Sequence, residues 1–128
     1  MEKDKDLCTV LVVEDDNDLC RILENVVGKL CPVHVEHDLH QAKDYLENQE
    51  PKIILLDNNL PDGLGVKNIR HFRDLCPNAK IVLMTADTTA GLDARALQEG
   101  AVAFLAKPFR GANINELILS ICPELRAA

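Results

Sequence analysis

Polar side chains of reactive types stand directly after the apolar runs of this chain. Glu14 and Asp15 follow the first run, Asp57 follows the third, Thr85 follows the fourth and Lys107 follows the fifth. Each of these runs is short and continuously apolar, which is typical of a strand buried on both faces of a parallel sheet. Because open parallel sheets bind ligands at the carboxyl ends of their strands, the sequence predicts that these side chains form one site.

The predicted site combines three carboxylates with one ammonium and one hydroxyl group. Glu14, Asp15 and Asp57 repel one another at close range, so a carboxyl pKa rises unless a cation lies among them. Oxygen ligands with positions left for water suit Mg²⁺, which often shares a phosphate oxygen with the protein. An aspartate can itself be the nucleophile in phosphoryl transfer, and Lys107 and Thr85 can bind phosphoryl oxygens. Each residue alone has a structural explanation, but their joint occurrence indicates a site for a phosphoryl group held on a carboxylate.

Five apolar runs alternate with five amphipathic stretches, and these elements must position the site. The runs lie at residues 8–13, 32–36, 52–56, 79–84 and 102–106. The second run alternates valines with polar residues, so we expect it to be more exposed. Candidate N-terminal caps of the first, second and fourth helices are Asp16 or Asn17, Asp38, and Thr88 or Thr89. The alternation predicts an α/β fold with a parallel sheet, and five strands favour an open doubly wound sheet over a closed eight-stranded barrel.

Length and composition narrow the classes of protein. With 128 residues, 47% of them hydrophobic and 27% charged, the chain is expected to form one globular domain. A formal net charge of −7 disfavours a nucleic-acid surface, which needs clustered Lys and Arg. No apolar run approaches the roughly 20 residues that cross a bilayer, and the charged start MEKDKD is no secretory or transit signal. We therefore expect a cytoplasmic protein without membrane contact, whose five cysteines are apolar core residues rather than redox sensors.

Four motifs resemble those of the receiver domain of two-component response regulators. They are VLVVEDD at the first strand, LLDNNLPDGLG at the third, VLMTA at the fourth and FLAKPF at the fifth. The resemblance covers about residues 8–121 and implies that residues 1–128 form a single receiver domain with short loose termini. It also implies a flavodoxin-like three-layer sandwich, with five parallel strands in the order 2-1-3-4-5 and five helices.

The resemblance implies a role for each residue of the site. Asp57 would be the phosphoacceptor, taking a phosphoryl group from the phosphohistidine of a sensor histidine kinase or a phosphotransfer protein. Glu14, Asp15, Asp57 and the backbone carbonyl of Asn59 would hold Mg²⁺, or Mn²⁺ in its place. Lys107 would neutralise charge on the phosphoryl oxygens during transfer. Such a domain is not a turnover enzyme, because it catalyses only its own phosphorylation and dephosphorylation.

A conformational switch is also implied by the resemblance. Thr85 would hydrogen-bond the phosphoryl group after its arrival and move inward, followed by Phe104, and so shift an equilibrium. An output domain outside this chain, a separate partner or a second copy in a phosphorylation-induced dimer would read the surface of the fourth helix, fifth strand and fifth helix. The resemblance also implies that Asn59 and Asp87 occupy positions that tune dephosphorylation in this family, and their polar side chains predict a phosphorylated lifetime of minutes or less.

Three positions depart from the commonest family pattern, and one of them, Leu64, stands where an acidic residue is common and is assigned no role. Glu14 replaces an aspartate, a variant expected to leave metal binding intact. Phe104 lacks the hydroxyl of the more common tyrosine, so a hydrogen bond from that position is absent. The family pattern further implies a cis peptide bond between Lys107 and Pro108.

Other functions remain open from the sequence. A pseudo-receiver would bind proteins through the same fold without phosphorylation, although every residue of the site is present. A phosphatase with an aspartyl nucleophile would carry D-x-D-x-T/V, whereas this chain has Asn59 at the second acidic position. A free-standing regulator, the receiver of a longer transcription regulator and the receiver of a hybrid kinase are all compatible with the motifs, and Met1 favours the first two.

Overall fold

Five strands and five helices alternate in the computed structural model, which describes residues 9–127. The elements are β1 (Val10–Val13), α1 (Asn17–Val27), β2 (Val33–Glu36), α2 (Leu39–Leu46), β3 (Ile53–Asp57), α3 (Ile69–Leu75), β4 (Lys80–Thr85), α4 (Leu92–Glu99), β5 (Ala103–Ala106) and α5 (Gly111–Ile121). The strands form one parallel sheet in the order β2-β1-β3-β4-β5. This order confirms the predicted flavodoxin-like fold.

The sheet separates two apolar cores, because successive residues of a strand point to opposite faces. Ile54 and Leu56 of β3 pack with the buried residues of α2, α3 and α4, whereas Ile53 and Leu55 pack with those of α1 and α5. Every residue of β3 is buried, while every residue of β2 is half-buried. The central strand therefore holds its last residue, Asp57, on a backbone with little freedom to move.

The helix starts agree with the sequence prediction in two cases and differ in a third. Asp16 accepts hydrogen bonds from two N–H groups at the start of α1, and Asp38 accepts one at the start of α2. The prediction that α4 opens at Thr88 or Thr89 is wrong, because α4 begins at Leu92. Gly91 precedes it with a φ of 86°, a left-handed conformation that interrupts the helical backbone.

A short hairpin, which the sequence analysis did not predict, follows β3. Its two strands, Asn59–Leu60 and Gly63–Leu64, pair in antiparallel fashion, and we call residues 59–64 the hairpin. A 3₁₀ turn over Gly65–Asn68 then leads into α3.

The ends of the chain were expected to be loose. Residues 1–8 lie outside the residues that the structure describes, so the expectation of a loose N-terminus stays a prediction. At the other end, Pro123–Ala127 forms a 3₁₀ helix whose Leu125 is buried among the residues of α1 and α5. The expectation of a loose C-terminus stays a prediction.

Cysteine burial supports the apolar role that the sequence predicted. Within residues 9–127 the cysteines form no disulfide, and all are buried: Cys20, Cys31, Cys76 and Cys122. Cys8 lies outside the described residues. No helix in that same range is long and apolar enough to cross a membrane.

Candidate functional site

The carboxyl ends of four strands bring the predicted side chains to one edge of the sheet. Glu14 directly follows β1, Asp57 ends β3 and Thr85 ends β4, and these side chains are only 1%, 3% and 1% exposed. Lys107 directly follows β5, and its N–H donates to the carbonyl oxygen of Thr85. β1, β3 and most of β4 are buried, whereas β5 is only half-buried, unlike the buried strand that its apolar run predicted. Together the strands bring these polar groups to one edge.

Glu14, Asp15 and Asp57 form a cluster of carboxylates. Each offers an oxygen atom, and these atoms all lie within 4.8 Å of one another. Glu14 and Asp57 are buried while Asp15 is exposed, so the cluster faces solvent on one side. Clustered carboxylate oxygens with access to water are a suitable ligand set for a hard divalent cation. The donor set therefore fits the predicted cation, and Asn59, the further predicted ligand, stands two residues after Asp57 in the hairpin.

Lys107 bridges the two buried carboxylates. Its Nζ atom lies 2.6 Å from Oε1 of Glu14 and 2.9 Å from Oδ1 of Asp57, and it donates a hydrogen bond to each. One ammonium among three carboxylates leaves a formal charge of −2. This remaining negative charge favours the binding of a further cation.

Burial and mutual repulsion perturb the ionisation of these groups. Burial raises the pKa of Asp57, Lys107 offsets this in part, and the charge of Asp15 adds to the rise. Burial also raises the pKa of Glu14, where Lys107 again opposes it and the charge of Asp57 reinforces it. Burial lowers the pKa of Lys107, but hydrogen bonds to both carboxylates outweigh it, so the net shift is upward. A bound cation would relieve the repulsion among the carboxylates.

Thr85 makes a hydrogen bond that leaves its own hydroxyl proton available. Its Oγ1 accepts a hydrogen bond of 2.9 Å from the N–H of Asp87. Within residues 9–127 the hydroxyl proton of Thr85 is not donated to any protein acceptor. Phe104, the predicted partner of Thr85 in the switch, is half-buried against the core beneath α2, α3 and α4.

Asp87 lies in the exposed loop between β4 and α4. Its Oδ1 accepts hydrogen bonds from the N–H of Thr89 at 2.8 Å and from the Thr89 hydroxyl at 2.5 Å. These hydrogen bonds lower the pKa of Asp87. The carboxylate that the resemblance connected with dephosphorylation is thus oriented by Thr89, a residue that the sequence suggested only as a helix cap.

The peptide bond between Lys107 and Pro108 is cis, which confirms the expectation from the family pattern. Beside it lies an open groove with a mostly apolar lining. The apolar side chains of this groove are Leu19, Ile22, Ala86, Pro108 and Phe109.

Three residues that the sequence analysis left without a role shape the loop after Asp57. Asn58 is buried, its side-chain oxygen accepts from the N–H of Val66, and its carbonyl accepts from the N–H of Gly65. A Cβ atom at position 65 would lie 2.3 Å from the carbonyl oxygen of Asp57, so only glycine fits there. Asp62, at the tip of the hairpin, accepts hydrogen bonds from the start of α2. Turn-forming residue types could have indicated the loop, but not these partners.

Fold and site define a class of α/β proteins in which a parallel sheet carries an acidic cluster, a hydroxyl and a lysine at its carboxyl edge. The model of the response regulator receiver domain matches residues 10–119. The chain belongs to this family, as its motifs indicated.

Curated and solved relatives agree with the family. The chain is 34% identical over 106 residues to the transcriptional regulatory protein CitB of Klebsiella pneumoniae, covering 80% of this chain and 45% of that protein. The chain spans less than half the length of several such curated relatives.

Two crystal structures show the same fold. A CheY-like receiver domain protein from Methanospirillum hungatei has a TM-score of 0.86 at 22% identity, covering 94% of this chain and 98% of that one. A response regulator protein from Burkholderia pseudomallei, with a phosphorylated aspartic acid and a calcium ion, has a TM-score of 0.79 at 22% identity, covering 93% and 71%.

Proposed function

We propose that this chain is a single receiver domain that accepts a phosphoryl group on Asp57 and thereby controls its partners. The observation that carries the proposal is the setting of Asp57. Its carboxylate is buried at the end of β3, 2.9 Å from the ammonium of Lys107, in one cluster with Glu14 and Asp15. The phosphorylated aspartic acid and calcium ion in the solved relative from Burkholderia pseudomallei support the same chemistry here.

The transfer step needs a nucleophile and positive charge, and both are present. A carboxylate oxygen of Asp57 attacks the phosphorus of a donor phosphohistidine, so an O–P bond forms and the N–P bond breaks. The imidazole nitrogen keeps the electron pair of the broken bond. Lys107 neutralises charge that spreads over the phosphoryl oxygens in the loose transition state. Mg²⁺, or Mn²⁺, held by Glu14, Asp15, Asp57 and the Asn59 carbonyl would supply further positive charge.

Thr85 couples phosphorylation to a change of surface. Its hydroxyl proton can be donated to a phosphoryl oxygen, a contact that exists only in the phosphorylated state and so shifts the equilibrium. Phe104 is expected to follow Thr85, because it packs against the core on the α4 side of the sheet. Leu97 of α4 and Val102 before β5 are exposed apolar side chains. They support α4, β5 and α5 as the surface for an output domain, another partner or a second copy.

The return step is hydrolysis of the acyl phosphate. A water molecule attacks phosphorus, the Asp57 oxygen leaves with its electron pair, and inorganic phosphate is released. Asn59 and Asp87 are exposed polar residues near the site and are proposed to orient this water. We therefore expect a phosphorylated lifetime of minutes or less.

The phosphodonor is proposed to be a cytoplasmic sensor histidine kinase or a phosphotransfer protein. The groove beside Lys107 supports a protein donor, because its apolar lining adjoins the phosphoacceptor site. Ile22 is 53% exposed there. An exposed apolar patch next to a reactive group favours a protein contact over a small donor alone.

Intact mass measurement tests the proposal. Wild type, Asp57→Asn and the control Asp74→Asn, an exposed aspartate of α3, are incubated with a small acyl phosphate, with Mg²⁺ or with a chelator. We expect a phosphoryl adduct on wild type and on the control, with Mg²⁺ only, and none on Asp57→Asn. No adduct with any donor would indicate a pseudo-receiver, and turnover of added phosphomonoesters would indicate a phosphatase.

A further inference from the structure

Asp62 connects the hairpin to a helix that is distant in sequence. Its two carboxylate oxygens accept hydrogen bonds of 2.9 Å each, Oδ1 from the N–H of Leu39 and Oδ2 from the N–H of His40. These are N–H groups of the first turn of α2, which have no partner inside the helix. Asp38, the cap of α2, accepts from the next such group, the N–H of Gln41, at 2.7 Å. The hairpin therefore supplies half of a cap that a helix ordinarily takes from its own chain segment.

Further contacts hold the hairpin against α2. Lys43 of α2 donates a hydrogen bond of 2.8 Å to Oδ1 of Asn68, and the side-chain amide of Asn68 donates one of 2.8 Å to the carbonyl of Leu64. The Leu39 side chain lies against Gly63, where an added Cβ atom would be only 3.0 Å from it. The hairpin is thus attached to α2 at its tip and along its second strand.

The base of the hairpin is held separately from the tip. Gly65 and Val66 donate their N–H groups to the carbonyl and the side chain of Asn58, at 2.8 and 2.9 Å. Asn59 lies between this base and the tip, paired with Leu64. Contacts at both ends thus restrain the backbone segment that contains Asn59.

We propose that Asp62 is a positioning residue for the cation site, acting through the hairpin on the backbone carbonyl of Asn59. This inference rests on the proposed function, in which that carbonyl is a metal ligand. Asp62 itself touches neither the carboxylate cluster nor the phosphoacceptor in the recorded hydrogen bonds. Removal of a residue that orients a metal ligand through hydrogen bonds commonly weakens metal binding by about 10- to 100-fold. Because Asp62 acts through a backbone segment, we expect the low end of that range.

Calorimetric titration of the unphosphorylated full chain with Mg²⁺ tests this role without any measurement of phosphorylation. We expect Asp62→Ala to weaken Mg²⁺ binding about tenfold. Asp62→Asn keeps one acceptor oxygen, so we expect an intermediate loss. The matched control is Asp38→Ala, which removes an aspartate cap from the same helix end but does not touch the hairpin. Urea denaturation without Mg²⁺ records how much stability each variant loses.

The outcomes separate the two levels of the proposal. We expect Asp38→Ala to lose stability but to bind Mg²⁺ as tightly as wild type, and Asp62→Ala to bind Mg²⁺ more weakly. That result would show that Asp62 acts on the cation site and not only as a helix cap. Equal Mg²⁺ affinities of wild type and Asp62→Ala would overturn the positioning role and leave the proposed function intact. Absence of Mg²⁺ binding by wild type would overturn the proposed cation site, and the role of Asp62 with it.

Discussion

The two loops that flank the phosphoacceptor are built in opposite ways. The loop after β3, residues 58–66, contains buried residues and bonds to α2, to β4 and to its own base. The loop after β4, residues 86–91, is exposed at every position. Its recorded hydrogen bonds join it only to Thr85, to itself and to the start of α4. One loop is fixed by distant elements, and the other is shaped by its near neighbours alone.

The helices that the two loops contact also differ, because α2 is packed more deeply into the core than α4. Leu39, Ala42 and Leu46 of α2 are buried, whereas Ala96 is the one buried residue of α4. At its far end α4 is held by an ion pair between Arg70 and Glu99, which is partly exposed. Segments with few buried apolar contacts open at lower free energy than well-packed ones.

This difference suits the proposed function. A metal ligand has to keep its position before the phosphoryl group arrives, so the loop that carries Asn59 is tied to α2. A switch has to change position afterwards, so the loop next to Thr85 is left with local hydrogen bonds that can exchange. Under the proposed function, the same sheet edge therefore combines a fixed loop with a movable loop.

Alanine at one glycine of each loop, Gly65 and Gly91, should reveal this difference most clearly. In Gly65→Ala the new Cβ atom would lie 2.3 Å from the carbonyl oxygen of Asp57, a backbone atom that β3 prevents from moving. We expect a loss of about 2–3 kcal/mol in the free energy of unfolding, measured in urea, together with slow phosphorylation. In Gly91→Ala the Cβ atom meets nothing within 4 Å, and only the φ of +86° is unfavourable. There we expect about 1 kcal/mol and near-normal phosphorylation.

Equal losses of stability in the two variants would contradict the comparison. So would normal phosphorylation of Gly65→Ala, because the fixed loop would then tolerate displacement of the backbone next to Asp57.

The sheet and the main site residues could be predicted from sequence because both depend on local patterns. The continuous apolar run before Asp57 indicates a buried strand, and its last residue must then lie at the ligand-binding edge. The half-buried state of β2 was likewise predicted from its alternating valines. Such patterns are read within a few residues of the chain, so they need no knowledge of tertiary contacts.

The loops could not be predicted in this way. Thr88 and Thr89 are good residue types for a helix start, yet α4 begins at Leu92 because the backbone of Gly91 interrupts it. Asp62 stands in a turn-like Pro-Asp-Gly sequence, where a local hydrogen bond is the usual expectation. Its partners lie 23 and 22 residues away, and no local pattern indicates them.

The pH dependence of the free energy of unfolding should also differ between the loop aspartates Asp62 and Asp87. We expect this difference to be smaller than that between the two glycine variants. Partial burial raises the pKa of Asp62, but N–H donation from Leu39 and His40 outweighs it and leaves the pKa below its ordinary value. A lowered folded-state pKa contributes stability above the unfolded pKa of about 3.9, and this stability is lost as the pH falls through the folded value. Because Asp62 is exposed, solvent screening limits the contribution to less than about 1 kcal/mol.

We therefore expect the difference in unfolding free energy between wild type and Asp62→Asn to shrink as the pH is lowered from about 5 to below 4. In Asp87→Asn we expect the pH dependence to stay closer to that of wild type. The hydrogen bonds of Asp87 come from Thr89, two residues on, and can also form in the unfolded chain. Urea denaturation at several pH values measures both. A larger pH effect for Asp87 than for Asp62 would mean that the exposed loop is coupled to the fold.

The smallest expected effect concerns the orientation of the Asp87 carboxylate in the loop after β4, residues 86–91. The Thr89 hydroxyl and N–H hold Oδ1 of Asp87, which leaves Oδ2 able to accept a hydrogen bond from the attacking water. Thr89→Val removes the hydroxyl and keeps the shape, so Asp87 should lose one of its two orienting hydrogen bonds. We expect dephosphorylation to slow about two- to threefold, comparable to the loss of a weak hydrogen bond at an exposed site.

Decay of the phosphoryl adduct, followed by intact mass after removal of the donor, measures this effect. Thr88→Val is the matched control, since Thr88 is an exposed threonine of the same loop for which no hydrogen bond is recorded. If both valine variants decay at the wild-type rate, Thr89 does not orient Asp87 in the phosphorylated state. Slower decay in Thr89→Val alone would show that the Thr89 hydroxyl holds the Asp87 carboxylate in place even though the loop after β4 has only local hydrogen bonds.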